Sequence, residues 1–166
     1  MNTFLLFFFI IFILIAFGYG YYQLDKTYRS NYKVAIPFKE SLDLTGLPVV
    51  TFENEGTKLH LLIDTGTDYS IMDKEASKMC HILGTKDPHM DLITGGGVVE
   101  APVMAKINIS YKDLDFEADF LVCDLSKQFT DAFEGKIIVH GVLGSNFFRK
   151  YKYKIDYSDL AVYARK

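Results

Sequence analysis

The stretch "LLIDTGTDYSIM" at residues 61–72 places an acid where an apolar run would otherwise continue. Leu61, Leu62 and Ile63 lead directly into Asp64, which is followed by Thr65, Gly66, Thr67 and Asp68. A carboxylate carried to the end of a buried strand and held at a tight turn can act as a general acid or base. Gly66 suits a turn whose backbone geometry other residues tolerate poorly. The hydroxyls of Thr65 and Thr67 can donate hydrogen bonds near the carboxylate. The plainer alternative is a strand-end Asp in an Asx-turn, the common role of an Asp beside Gly. The triplet is weak evidence by itself, since a chain this long holds Asp-Thr-Gly by chance about a few per cent of the time.

Further along, "LITGGGVVEAPV" (92–103) sets apolar arms on either side of Gly95, Gly96 and Gly97, which predicts a hairpin with a mobile tip. No Lys-Ser/Thr follows these glycines and their flanks are strand-like, which argues against a phosphate cradle. "IIVHGVLGSNFF" (137–148) sets an apolar strand before a glycine that opens a short helix. The histidines, His60, His81, His89 and His140, match no closed zinc spacing, even with Cys80 beside His81. No metal and no cofactor is expected. His60 reads as a surface or cross-strand residue. Cys80 and Cys123 read as two small buried hydrophobes or as one disulfide.

The elements that must position these residues are mostly strands. "LPVVTFE" and "TKLHLLID" flank "NEG" (54–56), a hairpin signal. "VMAKINISY" (103–111) and "LDFEADFLV" (114–122) alternate cleanly around "YKD". Their inner faces are Val103, Ala105, Ile107, Ile109 and Tyr111, and Leu114, Phe116, Ala118, Phe120 and Val122. "KVAIPF" (33–38) reads as a strand whose Pro37 suits a sheet edge. One short helix is expected over 73–82, with Asp73 as N-cap and Gly84 as stop. A second is expected over 144–151, capped by Ser145 or Asn146. The fold class predicted is mainly β, a small closed barrel with one or two short helices.

The chain has 166 residues and a net charge of −3, so no nucleic-acid surface is expected. Residues 1–24 contain no charged side chain. A helix over about 3–22 would span roughly 30 Å, enough to cross a bilayer. Tyr19, Tyr21 and Tyr22 fall where an interfacial aromatic belt belongs. A cleaved signal peptide is the rival reading, but "MNT" lacks a basic residue and "AFG" (16–18) is a poor cleavage site. We expect a single-pass transmembrane anchor over 1–24, a tether over 25–46 and a folded domain over 47–166. Lys26, Arg29 and Lys33 follow the apolar run, which by the positive-inside rule puts the domain in the cytoplasm.

The order of Asp-Thr-Gly (64–66), glycine tip (94–97), Val142-Leu143-Gly144 before a helix, and a last strand with Ile155-Asp156 resembles the retropepsin-like aspartic proteases. The likeness runs from about Leu47 to Ala164. It implies that Asp64 is the catalytic carboxylate and that Thr65 hydrogen-bonds across a dimer. Gly66 would admit the substrate backbone, with Thr67 and Asp68 beside it and Thr94, Gly95, Gly96 and Gly97 as the flap. Val142, Leu143 and Gly144 would pack behind the active-site loop. Many retroviral members pair the acid at the Asp68 position with an Arg just after the later glycine. Ser145 stands there instead, with Arg149 as the next candidate. The chain holds one such triplet, so the resemblance implies a homodimer with the site on its two-fold axis. The implied activity is peptide-bond hydrolysis by a water activated between two Asp64 carboxylates, with peptides or proteins as substrates. The rival function is a non-catalytic peptide-binding module on the same fold.

Overall fold

The computed structural model describes the backbone of residues 3–30, 32–88, 90–94, 97–101 and 103–165. Its side chains are described over 10–26, 34–88, 91, 98 and 103–164. Helix α1 (Thr3–Ser30) leads into β1 (Tyr32–Pro37) and α2 (Lys39–Thr45). Then come β2 (Val49–Asn54), β3 (Thr57–Ile63), β4 (Ser70–Asp73), α3 (Lys74–Ser77) and β5 (Ile82–Lys86). β6 (Met90–Thr94) and β7 (Gly97–Ala101) form a hairpin, followed by β8 (Val103–Tyr111) and β9 (Leu114–Cys123). The chain ends with α4 (Ser126–Phe133), β10 (Gly141–Leu143), α5 (Ser145–Tyr151), β11 (Lys154–Asp156) and β12 (Ala161–Arg165).

Six strands close a barrel in the order β2-β3-β10-β4-β9-β8, and β8 returns to β2 through Glu53 opposite Ser110. β5 extends the sheet beyond β8. The alternation read from the sequence has a direct cause here. Ala105, Ile107 and Ile109 of β8 and Phe116, Ala118 and Phe120 of β9 point into the barrel with Phe52, Leu59 and Leu61. Asp115 and Glu117 stay outside. Sequestering these side chains from water is the main drive for closure. Glu55 and Gly56 both take positive φ, 47° and 85°, the two-residue turn that suits the twist of the β2–β3 hairpin.

Several local expectations are revised. The helix expected over 73–82 is only α3, although Asp73 does cap it, accepting from Glu75 N–H at 3.0 Å and Ala76 N–H at 3.4 Å. Beyond it the chain is captured by pairing: His81 N–H donates to the buried Asn54 side chain at 2.7 Å, and 82–86 joins β8. Gly84 therefore lies in a strand and stops no helix. The N-cap of α5 is Gly144, not Ser145 or Asn146. α2 and α4 were not foreseen. β1 is an edge strand, as Pro37 suggested, and pairs with β12. Ile36 and Phe38 are buried in the main core, so the stretch 25–46 contributes to packing. Both cysteines are free, and burial pushes the Cys123 thiol up to about 11, with the Asp73 and Asp124 charges adding to the effect.

The expectation of a transmembrane anchor over 1–24 gains no support from the helix. Among the described residues, no helix is long and apolar enough to cross a membrane. α1 is one continuous helix that runs past the apolar stretch into Asp25 and Lys26. Many of its described large side chains, including Phe12, Leu14, Phe17 and Tyr21, lie exposed.

β3 and β10 are joined at their start by two histidines. His140 N–H donates to the His60 carbonyl at 2.8 Å, and His60 N–H donates to His140 Nδ1 at 2.9 Å. The rings stack at 5.3 Å, and the Thr51 hydroxyl shares a hydrogen bond with His60 Nδ1 at 2.9 Å. An accepting Nδ1 cannot carry a proton, so the geometry requires that nitrogen of His140 to be bare. Burial, with neighbouring His60, pushes His140 below its ordinary value, and Asp73 opposes them. His60 is lowered by burial and by Lys58. The unfolded chain thus binds protons that the folded chain refuses, so stability falls as pH drops from about 6.5 through the depressed folded values. His140→Asn keeps an acceptor and removes the titration. Thermal midpoints at pH 7.5 and pH 5 should differ less in this variant than in the wild type; equal differences would contradict the assignment.

Candidate functional site

β10 sits between β3 and β4, parallel to β3 with Leu143 opposite Ile63 and antiparallel to β4 with Val142 opposite Ile71. The loop 64–69 that joins β3 to β4 must therefore pass over the end of β10. Asp64 is the first residue of that loop and is exposed, while Ile63 just before it is buried. Its N–H donates to the Leu143 carbonyl at 3.1 Å, continuing the β3–β10 ladder by one step. Its Oδ1 accepts the Gly66 N–H at 2.8 Å. This is an Asx-turn, so the plain reading of the sequence and the chemical one describe the same geometry.

Gly66 does not adopt a left-handed φ, contrary to expectation; among the described residues the glycines that do are Gly46, Gly56 and Gly135. What it supplies is room, because a Cβ there would lie 3.1 Å from Asp64 Oδ1. Thr67 also departs from expectation. Its hydroxyl donates to the Tyr69 carbonyl at 3.2 Å, not to the carboxylate.

The loop is stapled from behind by the start of α5. Ser145 N–H donates to the Thr67 carbonyl at 2.8 Å, and Asn146 N–H to the Asp68 carbonyl at 3.0 Å. The Ser145 hydroxyl donates to the Thr65 carbonyl at 2.8 Å. That use of its side chain explains why Ser145 caps no helix. Gly144 allows the approach: a Cβ there would sit 2.4 Å from the Tyr69 carbonyl oxygen, closer than any side chain tolerates. Ser70, fully buried, accepts the Gly144 N–H at 3.1 Å and donates to Asn146 Oδ1 at 2.9 Å. Sequence reasoning missed Ser70 and the Ser145 hydroxyl. A small polar residue inside the apolar run "YSIM" was the available signal for the first.

No protein-family model and no curated protein matches the chain. Among solved structures, the retroviral protease-like domain of Ddi1 from Leishmania major superposes with a TM-score of 0.51 at 14% identity, covering 81% of this chain and 97% of that one. The fold is retropepsin-like. EIAV protease complexed with the inhibitor HBY-793 is similar at TM-score 0.49 and 20% identity, covering 66% of this chain and 92% of its own. A retropepsin-like aspartic protease from Rickettsia conorii is similar at TM-score 0.48 and 16% identity, covering 80% and 92%.

In this retropepsin-like barrel, Asp64 to Asp68 form one loop on β10, and Thr94 and Gly97 face each other across the β6–β7 hairpin. Gly95 and Gly96 lie outside the described residues, as do the side chains of Thr94 and Gly97. Asp68 and Arg149 are both exposed, and no ion pair joins them among the described residues. No group of three or more His, Cys, Asp or Glu side chains among the described residues could hold a metal. A cleft of about 680 Å³ lined by Phe38, Leu44, Val49, Thr51, His60 and Ile138 contains none of the candidate residues. It lies beside α2, on the outer face of β2 and β3, whereas Asp64 follows the end of β3. Lys39, Glu40 and Asp43 also line this cleft, and all three are exposed. We assign the chemistry to Asp64 because a carboxylate there is accessible and held by the Gly66 N–H.

Ser70→Ala would leave the Gly144 N–H buried without a partner, which costs about 1–3 kcal/mol. Chemical denaturation should show a lower midpoint by that amount with an unchanged slope. A neutral result would mean that the loop is not held through Ser70.

Proposed function

We propose that the chain is an aspartic endopeptidase that works as a homodimer, with the Asp64 side chains of two protomers meeting on the two-fold axis. The observation that carries this reading is the exposed Asp64 carboxylate at the end of β3, held by the Gly66 N–H at 2.8 Å on a retropepsin-like barrel. One such acid is half of an acid–base pair, and the chain contains a single Asp-Thr-Gly. Two carboxylates in contact cannot both ionise, so the pair holds one proton between them, the behaviour general to aspartic-protease dyads. The ionised member takes a proton from a water, which attacks the scissile carbonyl. The protonated member donates to the carbonyl oxygen, and the leaving nitrogen then receives a proton from the pair. The pair titrates as a unit.

Thr65, Gly66, Thr67 and Asp68 would line the floor of a substrate groove shared by the two protomers, with Thr94 to Gly97 as its lid. An extended peptide between them would be gripped through its backbone, with alternate side chains selecting the sequence. The lid would exclude water from the bond being broken. Asp64→Asn should lower kcat against a peptide library by about 10²–10⁴-fold or more at pH 4 to 7. Wild-type protein that binds peptides across that range without cutting any would instead make this a binding module.

The uncharged run over 1–24 and the exposed apolar side chains of α1 support a further part of the proposal, that α1 tethers the enzyme to a membrane. Lys26, Arg29 and Lys33 would then keep the barrel on the cytoplasmic side. Tethering confines protomers to a plane and raises their effective concentration, so a weak dimer suffices. Removing residues 1–24 should reduce activity per molecule at nanomolar protein and restore it at high concentration. Activity per molecule that does not change with dilution would contradict the shared site.

A further inference from the structure

The Thr65 carbonyl and the Gly66 N–H are the two ends of one peptide group. The Ser145 hydroxyl donates to its oxygen at 2.8 Å, and its N–H donates to Asp64 Oδ1 at 2.8 Å. We infer that Ser145 is a positioning residue that acts on the Asp64 carboxylate through this peptide, biasing it toward its ionised form. The inference rests on the reading of Asp64 as half of a catalytic dyad.

The physical basis is polarisation along the chain of bonds. A donor on the carbonyl oxygen draws electron density from the amide, which makes its N–H a better donor, and bonds in series strengthen one another by roughly 10–30% each. The Gly66 N–H favours the charged carboxylate because an ionised oxygen accepts more strongly than a neutral one. Whatever strengthens that N–H therefore lowers the cost of ionising Asp64. Ser145 is well placed for the task. Its own N–H is tied to the Thr67 carbonyl at 2.8 Å, so its backbone stays fixed whatever side chain it carries. Its hydroxyl carries no net charge, so its effect is insensitive to salt. Behind the loop stands a hydroxyl that works through a single amide.

The test compares wild type, Ser145→Ala and Ser145→Thr as full-length chains in detergent. In Ser145→Ala the acid limb of the kcat/KM profile should move to higher pH by roughly 0.1–0.7 unit, the product of a charge-assisted bond and the polarisation fraction. Ser145→Thr, which keeps the hydroxyl, should restore the wild-type limb. An independent readout needs no turnover. The Gly66 amide nitrogen resonance should shift upfield in Ser145→Ala, and the Asp64 carboxyl carbon should titrate at higher pH. Superimposable titrations and an unmoved Gly66 resonance in Ser145→Ala would overturn the relay. So would a loss of thermal stability and rate with no change in the pH profile, because that would make Ser145 merely structural. A wild type that cleaves nothing overturns the protease reading, while the two resonances still decide the relay.

Discussion

Insertion of β10 between β3 and β4 is the constraint on which the rest of the structure depends. A strand of three residues, Gly141–Leu143, is paired on both edges, parallel on one side and antiparallel on the other. It forces the loop between β3 and β4 to arch over its end, and that arch contains the candidate site. The carbonyl of Leu143 extends the ladder to Asp64, and the absence of a side chain at Gly144 lets Tyr69 and Ser70 come close enough to lock the far end. Barrel closure supplies the hydrophobic drive, but this short strand converts closure into a defined position for one carboxylate.

The arch is held by neutral groups. The bonds described for it come from backbone amides or hydroxyls: those of Asp64, Gly66, Thr67, Ser145, Asn146 and Ser70. No described cation is paired with Asp64 or Asp68. Two exposed acids on one loop repel each other, and a second protomer would add its own pair and the repulsion across the axis. Neutral donors hold the backbone without cancelling this charge, which leaves proton sharing as the available relief in the proposed dimer. The same arrangement leaves both acids facing solvent, where a cationic stretch of peptide would meet an attractive field.

Much of the barrel was legible from period-2 alternation, because β8 and β9 each bury one face and wet the other. The Asp64 turn was legible because an acid beside glycine at the end of an apolar run has few other uses. The misses have physical causes. α3 stopped early because Asn54, distant in sequence, recruits His81 into the sheet, and no local pattern carries that information. α2 and α4 are short, and α4 has no side-chain cap, so neither advertises its start. Gly66 was expected for its φ and instead serves for the space around the carboxylate. Ser145 looked like a helix cap because caps and loop staples use the same hydroxyl. The distinction lies in what stands opposite, which sequence does not record.

β1 and β12 close the chain upon itself, with Pro37 opposite Ala161 and Val34 opposite Ala164. β1 thus has no strand partner until 161–165 has been synthesised. At usual rates of synthesis that delay is on the order of 10 s, during which the edge of β1 and the buried faces of Ile36 and Phe38 stand open. A nascent chain of this design therefore completes its core only once 161–165 has paired with β1.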